Sequence, residues 1–233
     1  MNQFVEAVKA LDKERVAELL KKSQWQDWAE PSGKNALHYL CAVRVDDDAE
    51  RQKTSLSILK LLLKSGLDID SVHRIEDKNC GYFPATPLWY AYAKGCNPVI
   101  YKYLLKQGAN IANCWWAMSW FDDVKAGELW LKHGASLEQP LLDEVFAGSI
   151  GWRRYRFAEW LLDQGADVNT VGPDGNTALI LAVKRKDEDA IKMLVSHGAD
   201  PDKTGTKGDS ARSIAIAKGP KRLLTLLDTG SAK

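Results

Sequence analysis

Apolar residues recur along the chain at helical spacing, and each run stops at a glycine. Ala190, Ile191, Leu194 and Val195 precede Gly198; residues three and four apart share one helical face, so this run predicts an amphipathic helix. The same phrase closes four other stretches: Leu62-Leu63-Lys64-Ser65-Gly66, Leu104-Leu105-Lys106-Gln107-Gly108, Trp130-Leu131-Lys132-His133-Gly134 and Leu161-Leu162-Asp163-Gln164-Gly165. A residue without Cβ enters the left-handed conformation cheaply, so each glycine predicts a helix end. Tails such as Ala166-Asp167-Val168-Asn169 then lead toward a turn.

A second phrase opens the helices. It reads Gly33-Lys34-Asn35-Ala36-Leu37-His38, Ala85-Thr86-Pro87-Leu88-Trp89-Tyr90-Ala91, Gly175-Asn176-Thr177-Ala178-Leu179-Ile180-Leu181-Ala182 and Gly208-Asp209-Ser210-Ala211-Arg212-Ser213-Ile214-Ala215. Its Thr or Ser predicts an N-cap, because a side-chain oxygen there accepts from an otherwise unpaired backbone N–H. Pro87 suits the first helical position, where its missing N–H costs nothing. The small Ala91 and Ala182 allow neighbouring helices to approach closely. The two phrases alternate, and the closing glycines at 66, 108, 134, 165 and 198 are separated by 42, 26, 31 and 33 residues.

These motifs resemble the ankyrin repeat, with its Gly-x-Thr-Pro-Leu-His-x-Ala start and Leu-Leu-x-x-Gly-Ala-Asp-Val-Asn end. The resemblance covers roughly residues 2–228, and the stretch from Gly172 to Asp200 matches best. It implies an all-α fold: a solenoid of about seven helix-turn-helix repeats with short β-turn or hairpin fingers. The approximate repeats are 2–30, 32–70, 80–112, 113–138, 140–171, 172–204 and 205–229, in a single domain 1–233. The first pair lacks the Thr-Pro start, as terminal caps often do. The last carries Leu223, Leu224, Leu226 and Leu227 beside a charged rim of Lys218, Lys221 and Arg222. His38 falls on the family's buried structural histidine, whose ring hydrogen-bonds backbone in neighbouring turns.

The departures from the pattern are where recognition is expected. Val43 to Lys53 is an insertion read as lengthening the turn between two helices. Its Asp46, Asp47 and Asp48 lack the spaced acids and glycine of a calcium loop. A second insertion, Ser71 to Phe83, enlarges the turn between two repeats and ends in Tyr82 and Phe83. These two are partner contacts or packing between neighbouring fingers. The fourth repeat is degenerate: Trp115, Trp116 and Trp120 fall within six residues. Residues one apart face different ways on a helix, so Trp115 and Trp116 diverge while Trp116 and Trp120 share a face. They either replace the usual core set or form an exposed aromatic patch, a composition typical of binding hot spots. The fifth repeat adds Trp152, Arg153, Arg154, Tyr155 and Arg156, read as a hot-spot cluster or as a basic outer face over a core of Phe157, Trp160, Leu161 and Leu162. The candidate partner-binding set is Tyr82, Phe83, Trp89, Tyr90, Trp115, Trp116, Trp120, Trp152, Arg153, Arg154, Tyr155, Lys184 and Arg185.

Composition narrows the function class. The hydrophobic fraction is 45% and the charged fraction 27%, which suits a packed core. A net charge of +1 gives no strong footprint for nucleic acid or anionic membranes. The start carries no signal-peptide pattern, and no stretch approaches a membrane span, so a cytoplasmic location without membrane insertion is expected. Cys41, Cys80, Cys96 and Cys114 form no Cys-x-x-Cys pair and read as free thiols, mostly buried. Of the histidines, His133 and His197 precede helix-ending glycines and His73 is read as lying in a loop. Neither a His-Glu-x-x-His pattern, a nucleophile elbow nor a phosphate-binding loop occurs in the sequence. The expectation is a non-catalytic protein-interaction chain with no cofactor, no metal and no catalytic residue, monomeric alone, binding its partner protein through a concave groove. One alternative is a dedicated inhibitor of a single partner, since an all-repeat architecture also resembles bacterial ankyrin proteins that neutralise a toxin encoded nearby. Another is a binder of nucleic acid or an anionic surface through Arg153, Arg154 and Arg156.

Overall fold

The computed structural model describes residues 3–22, 28–78 and 81–228. Among them fourteen α-helices follow one another as seven consecutive pairs, with one two-stranded hairpin. The pairs are α1 (Gln3–Lys9) and α2 (Lys13–Leu20), α3 (Ala36–Cys41) and α4 (Ala49–Lys64), α5 (Pro87–Ala93) and α6 (Pro98–Lys106), α7 (Cys114–Phe121) and α8 (Val124–Lys132), α9 (Leu141–Gly151) and α10 (Tyr155–Asp163), α11 (Ala178–Arg185) and α12 (Glu188–Ser196), and α13 (Ala211–Lys218) and α14 (Lys221–Asp228). The hairpin, β1 (His73–Asp77) and β2 (Gly81–Ala85), is antiparallel and stands between α4 and α5. The molecule divides into two compact units, residues 1–117 and 118–233. Among the described residues no helix is long and apolar enough to cross a membrane.

The predicted caps are in place. Thr86, Thr177 and Ser210 each accept from the backbone N–H three residues on, and Asn35 does the same work for α3. At the far end of the pairs, Gly66, Gly108, Gly134, Gly165 and Gly198 all adopt positive φ. The following residue's N–H reaches the carbonyl five residues back, as from Ala166 to Leu161 (3.0 Å) and Ala199 to Leu194 (3.0 Å). These bonds satisfy carbonyls that a helix end otherwise leaves unpaired.

The turns inside four of the pairs use the same device without glycine. Leu11, Asp122, Arg153 and Lys186 have φ between 55° and 60°. In each, the next residue's N–H again reaches five residues back: Asp12 to Ala7, Asp123 to Met118, Arg154 to Ser149 and Asp187 to Ala182. In three of these four turns that next residue then caps the second helix. Asp12, Asp123 and Asp187 accept from the N–H groups of Arg15, Ala126 and Ala190, and Asp48 and Asn97 cap α4 and α6.

In the first unit the core comprises Phe4, Leu37, Leu40, Ile58, Leu59, Leu62, Leu88, Ile100 and Leu104. His38 is fully buried there; its Nε2 lies 3.1 Å from the Ser71 carbonyl and 3.2 Å from that of Ala85, so Nε2–H donates to both. In the second unit Trp130, Phe146, Phe157, Leu161, Leu179, Ile191, Leu194 and Leu223 are buried. The buried Ser149 hydroxyl donates to the Val145 carbonyl (2.7 Å) and accepts from Ser119 (2.7 Å), tying α9 to α7.

Several expectations are corrected. The insertion beginning at Val43 is only partly a turn: Ala49 to Lys53 form the first turns of α4, a helix of 16 residues capped by Asp48. His73 opens strand β1 instead of lying in a loop, because residues 73–77 pair with 81–85. Leu162 is half-buried, since it sits one residue past the buried Leu161. Cys41 and Cys114 are buried but Cys96 is exposed, and Cys80 lies outside the described residues, as does the side chain of Lys218.

Candidate protein-binding surfaces

The candidate residues separate into two surfaces, one in each unit. In the first unit Tyr82 and Phe83 stand on β2. Tyr82 is exposed and carries the Arg74 guanidinium 5.4 Å from its ring centre. Phe83 is half-buried against Trp89 (ring centres 5.2 Å apart), which also meets the Tyr90 ring at 5.2 Å and the Lys94 ammonium at 5.7 Å. Tyr90, placed in the candidate set, is buried: its hydroxyl meets His73 Nδ1 at 2.7 Å and its ring lies edge-on to His38. It holds the hairpin to α5 and is not available to a partner.

The fourth repeat resolves both ways. Trp115 is fully buried and leaves the candidate set, because its face of α7 also carries the buried Met118 and Ser119. Trp116 is half-buried. Trp120 is 50% exposed at the end of α7, beside Phe121 at 52%. Phe121 escaped the sequence reading: Cys114 to Phe121 is apolar almost throughout, so no polar break marks the outward side.

Trp120 meets Trp152, 39% exposed, edge-to-face with ring centres 5.3 Å apart. The Arg154 guanidinium lies 5.4 Å from the Trp120 ring centre. These residues lie on the turns inside the pairs α7–α8 and α9–α10, at the opposite helix ends from the inter-repeat turns. Within the second unit, neighbouring turns are laced together. Asp122 accepts from the N–H of Phe157 (2.8 Å), and the Tyr155 hydroxyl donates to Asp187 (2.6 Å). Burial and that hydrogen bond push Tyr155 up to about 12, while the same bond and the nearby Arg153 and Arg185 hold Asp187 below the usual carboxylate range despite its burial.

Arg185 is corrected to a structural role. Its guanidinium donates to the carbonyls of Ile150 (2.8 Å) and Gly151 (2.9 Å), capping the end of α9. Tyr155 is likewise committed, and half-buried. Lys184 is exposed, with Nζ 2.5 Å from Asn176 Oδ1. Arg153, Arg154 and Arg156 have no carboxylate within ion-pair distance among the described residues. The described residues contain no group of three or more His, Cys, Asp or Glu able to hold a metal.

Residues 149–232 match the family model for ankyrin repeats, in three copies. An ankyrin repeat-containing protein of Treponema pallidum is 38% identical over 110 residues, 45% of this chain and 36% of its own length. Ankyrin repeat domain-containing protein 63 of Mus musculus is 42% identical over 74 residues, 32% of this chain and 19% of its own. The matched stretches thus span about a third or less of these relatives. The crystal structure of the human ASB11 ankyrin repeat domain superposes with a TM-score of 0.67 at 19% identity, covering 97% of this chain and 98% of that one. That likeness shows the all-α repeat fold. Repeats of this kind are generic protein-interaction modules, as a rule scaffolds and not catalysts.

Proposed function

Since the chain is an ankyrin-repeat protein, we propose that it binds a partner protein through the turn edge of its second unit, centred on Trp120, Phe121 and Trp152. The observation that carries this reading is three large aromatic side chains, each at least 39% exposed, gathered on adjacent turns. Isolated exposed apolar residues are ordinary, but a contiguous aromatic group costs solubility and marks contact surfaces. Trp and Arg together are the residue types that most often dominate binding energy. The finger side offers less: Tyr82 is exposed, whereas Phe83 and Trp89 are spent on each other.

The test is affinity capture from the native cell with the full chain and with a Trp120→Ala, Trp152→Ala double variant. The protein captured by the wild type is identified by mass spectrometry and its affinity measured with purified components. The expected result is loss of at least tenfold in affinity with an unchanged circular dichroism spectrum, since both side chains already face solvent. Equal affinity of the two forms rejects this surface.

A further inference from the structure

Helix α10 breaks a rule that the second helices of five other pairs keep. The residue after the left-handed turn position is Asp12, Asp123 or Asp187 in three other pairs, each capping its own helix, and α4 and α6 use Asp48 and Asn97. In α10 that residue is Arg154, whose side chain makes no cap bond. Arginine there forfeits a cap and sets a positive charge against the positive end of the helix dipole. The fold compensates from elsewhere, because Asp122 on the adjacent turn bonds the N–H of Phe157. Arg154 is thereby released to lie over Trp120, with its Nε buried and unpaired. Its neighbour Arg153 occupies a left-handed position at φ 60°, and α10 has no acidic residue in its first turn. Local rules broken with the cost offset nearby are the mark of a residue kept for binding.

The charges around it are lopsided in availability. On these turns the acids are committed: Asp122 to Phe157, Asp123 to Ala126, Asp187 to Tyr155 and Ala190, and Glu188 to Arg222 at 2.7 Å. Arg153, Arg154 and Arg156 have no carboxylate within ion-pair distance among the described residues, Arg153 acting on Asp187 only from farther off. An anion approaching the Trp120–Trp152 pair therefore meets guanidinium groups with no carboxylate in ion-pair reach, and such groups bind carboxylates in a planar fork.

Resting on the reading that this edge is the binding surface, we infer that its occupant is an acidic peptide segment carrying an apolar side chain. The carboxylates pair with Arg153, Arg154 and Arg156, and the apolar side chain packs on the tryptophans. A nucleic acid fits less well: Trp120 is stacked by Arg154 on one side and meets Trp152 edge-on, leaving no open pair of ring faces for bases, and the net charge is only +1.

The test is selection of a random 12-residue peptide display library on the full chain, with the Arg154→Asn variant alongside. Asparagine restores a helix-capping side chain, so the variant is expected to fold at least as stably as the wild type. The wild type is expected to enrich peptides with a net negative charge and one or two large apolar residues. Their affinity, measured by fluorescence anisotropy, is expected to fall about tenfold in Arg154→Asn and similarly in Trp152→Ala, and to weaken as salt is raised. Enrichment of neutral or basic peptides, no enrichment, or unchanged binding by Arg154→Asn overturns the inference. So does a single-stranded 20-nucleotide DNA that binds more tightly than the selected peptides. If the natural partner is lost in the double tryptophan variant while acidic peptides fail, the surface stands and only its proposed occupant falls.

Discussion

At the scale of single residues, burial decides both protonation and tolerance. His38 is held at a pKa of about 4, chiefly by burial, which outweighs the two carbonyls that favour its charged form. Its unfolded value is near 6.5, so below that pH the unfolded chain binds a proton that the folded chain refuses. Stability is therefore at its full value above about pH 6.5 and falls as pH drops toward 4. His73, lowered by burial and by Lys34, adds to the same slope. Urea unfolding is expected to lose about 2–3 kcal/mol between pH 7 and pH 4, and His38→Gln, which keeps a donor but no titration, is expected to flatten much of that loss. Equal slopes in the two proteins would refute the assignment. Glycine gives a second contrast. Alanine normally stabilises a helix interior, yet a Cβ on Gly127 would sit 2.7 Å from Cη2 of the buried Trp160. Gly127→Ala is expected to cost about 1–3 kcal/mol by overpacking. Gly151, where a Cβ meets nothing within 4 Å, is expected to accept alanine with no loss. Thermal melts of both variants check the pair.

At the scale of elements, stability is shared between neighbouring turns. Asp122 is a helix cap delivered from another pair, 35 residues from the N–H it serves. Asp122→Ala is expected to cost about 1–2 kcal/mol, combining the lost cap with a Cβ left at φ 55° without a side chain that tolerates it. Asp122→Asn keeps an accepting oxygen and is expected to stay within about 0.5 kcal/mol. Equal losses in urea melts would count against capping. This dependence also explains what the sequence could and could not disclose. Thr86, Thr177, Ser210 and the closing glycines act within three to five residues, so their role is legible in a short phrase. Trp115 is fully buried and Trp120 is 50% exposed, yet the run that holds them is apolar almost throughout and carries no polar mark of which side faces out. Arg185 and Tyr155 read as a surface hot spot because the groups that occupy them, at 150–151 and 187, are more than thirty residues away. The insertion at 71–83 is legible as an enlarged finger, but the pairing of residues 73–77 with 81–85 is not, because its mixed polar pattern carries no clean alternation.

At the scale of the molecule, helix pairs within a unit pack on the pairs next to them, so a defect should spread by adjacency. In the second unit α14 packs on α12 and α13, whereas α12 packs on α11 and α14, and α9 lies against α10 and α11. Such an array behaves as a sum of repeat and interface terms instead of one indivisible core. Leu227 of α14 and Leu194 of α12 are both buried, at 1% and 0% exposure, so truncation removes the same chemistry from each. Each is expected to cost about 2–5 kcal/mol locally, but with different reach. Hydrogen exchange read by mass spectrometry should show Leu227→Ala exposing α13 and α14 while α9 and α10 keep their protection. Leu194→Ala should loosen α11 through α14 together, because α12 links the pairs on either side. Uniform loss of protection across both units in either variant would mean that folding is cooperative over the whole chain. The turn edge bearing Trp120, Trp152 and Arg154 would then owe its geometry to the entire molecule and not to the two pairs that carry it.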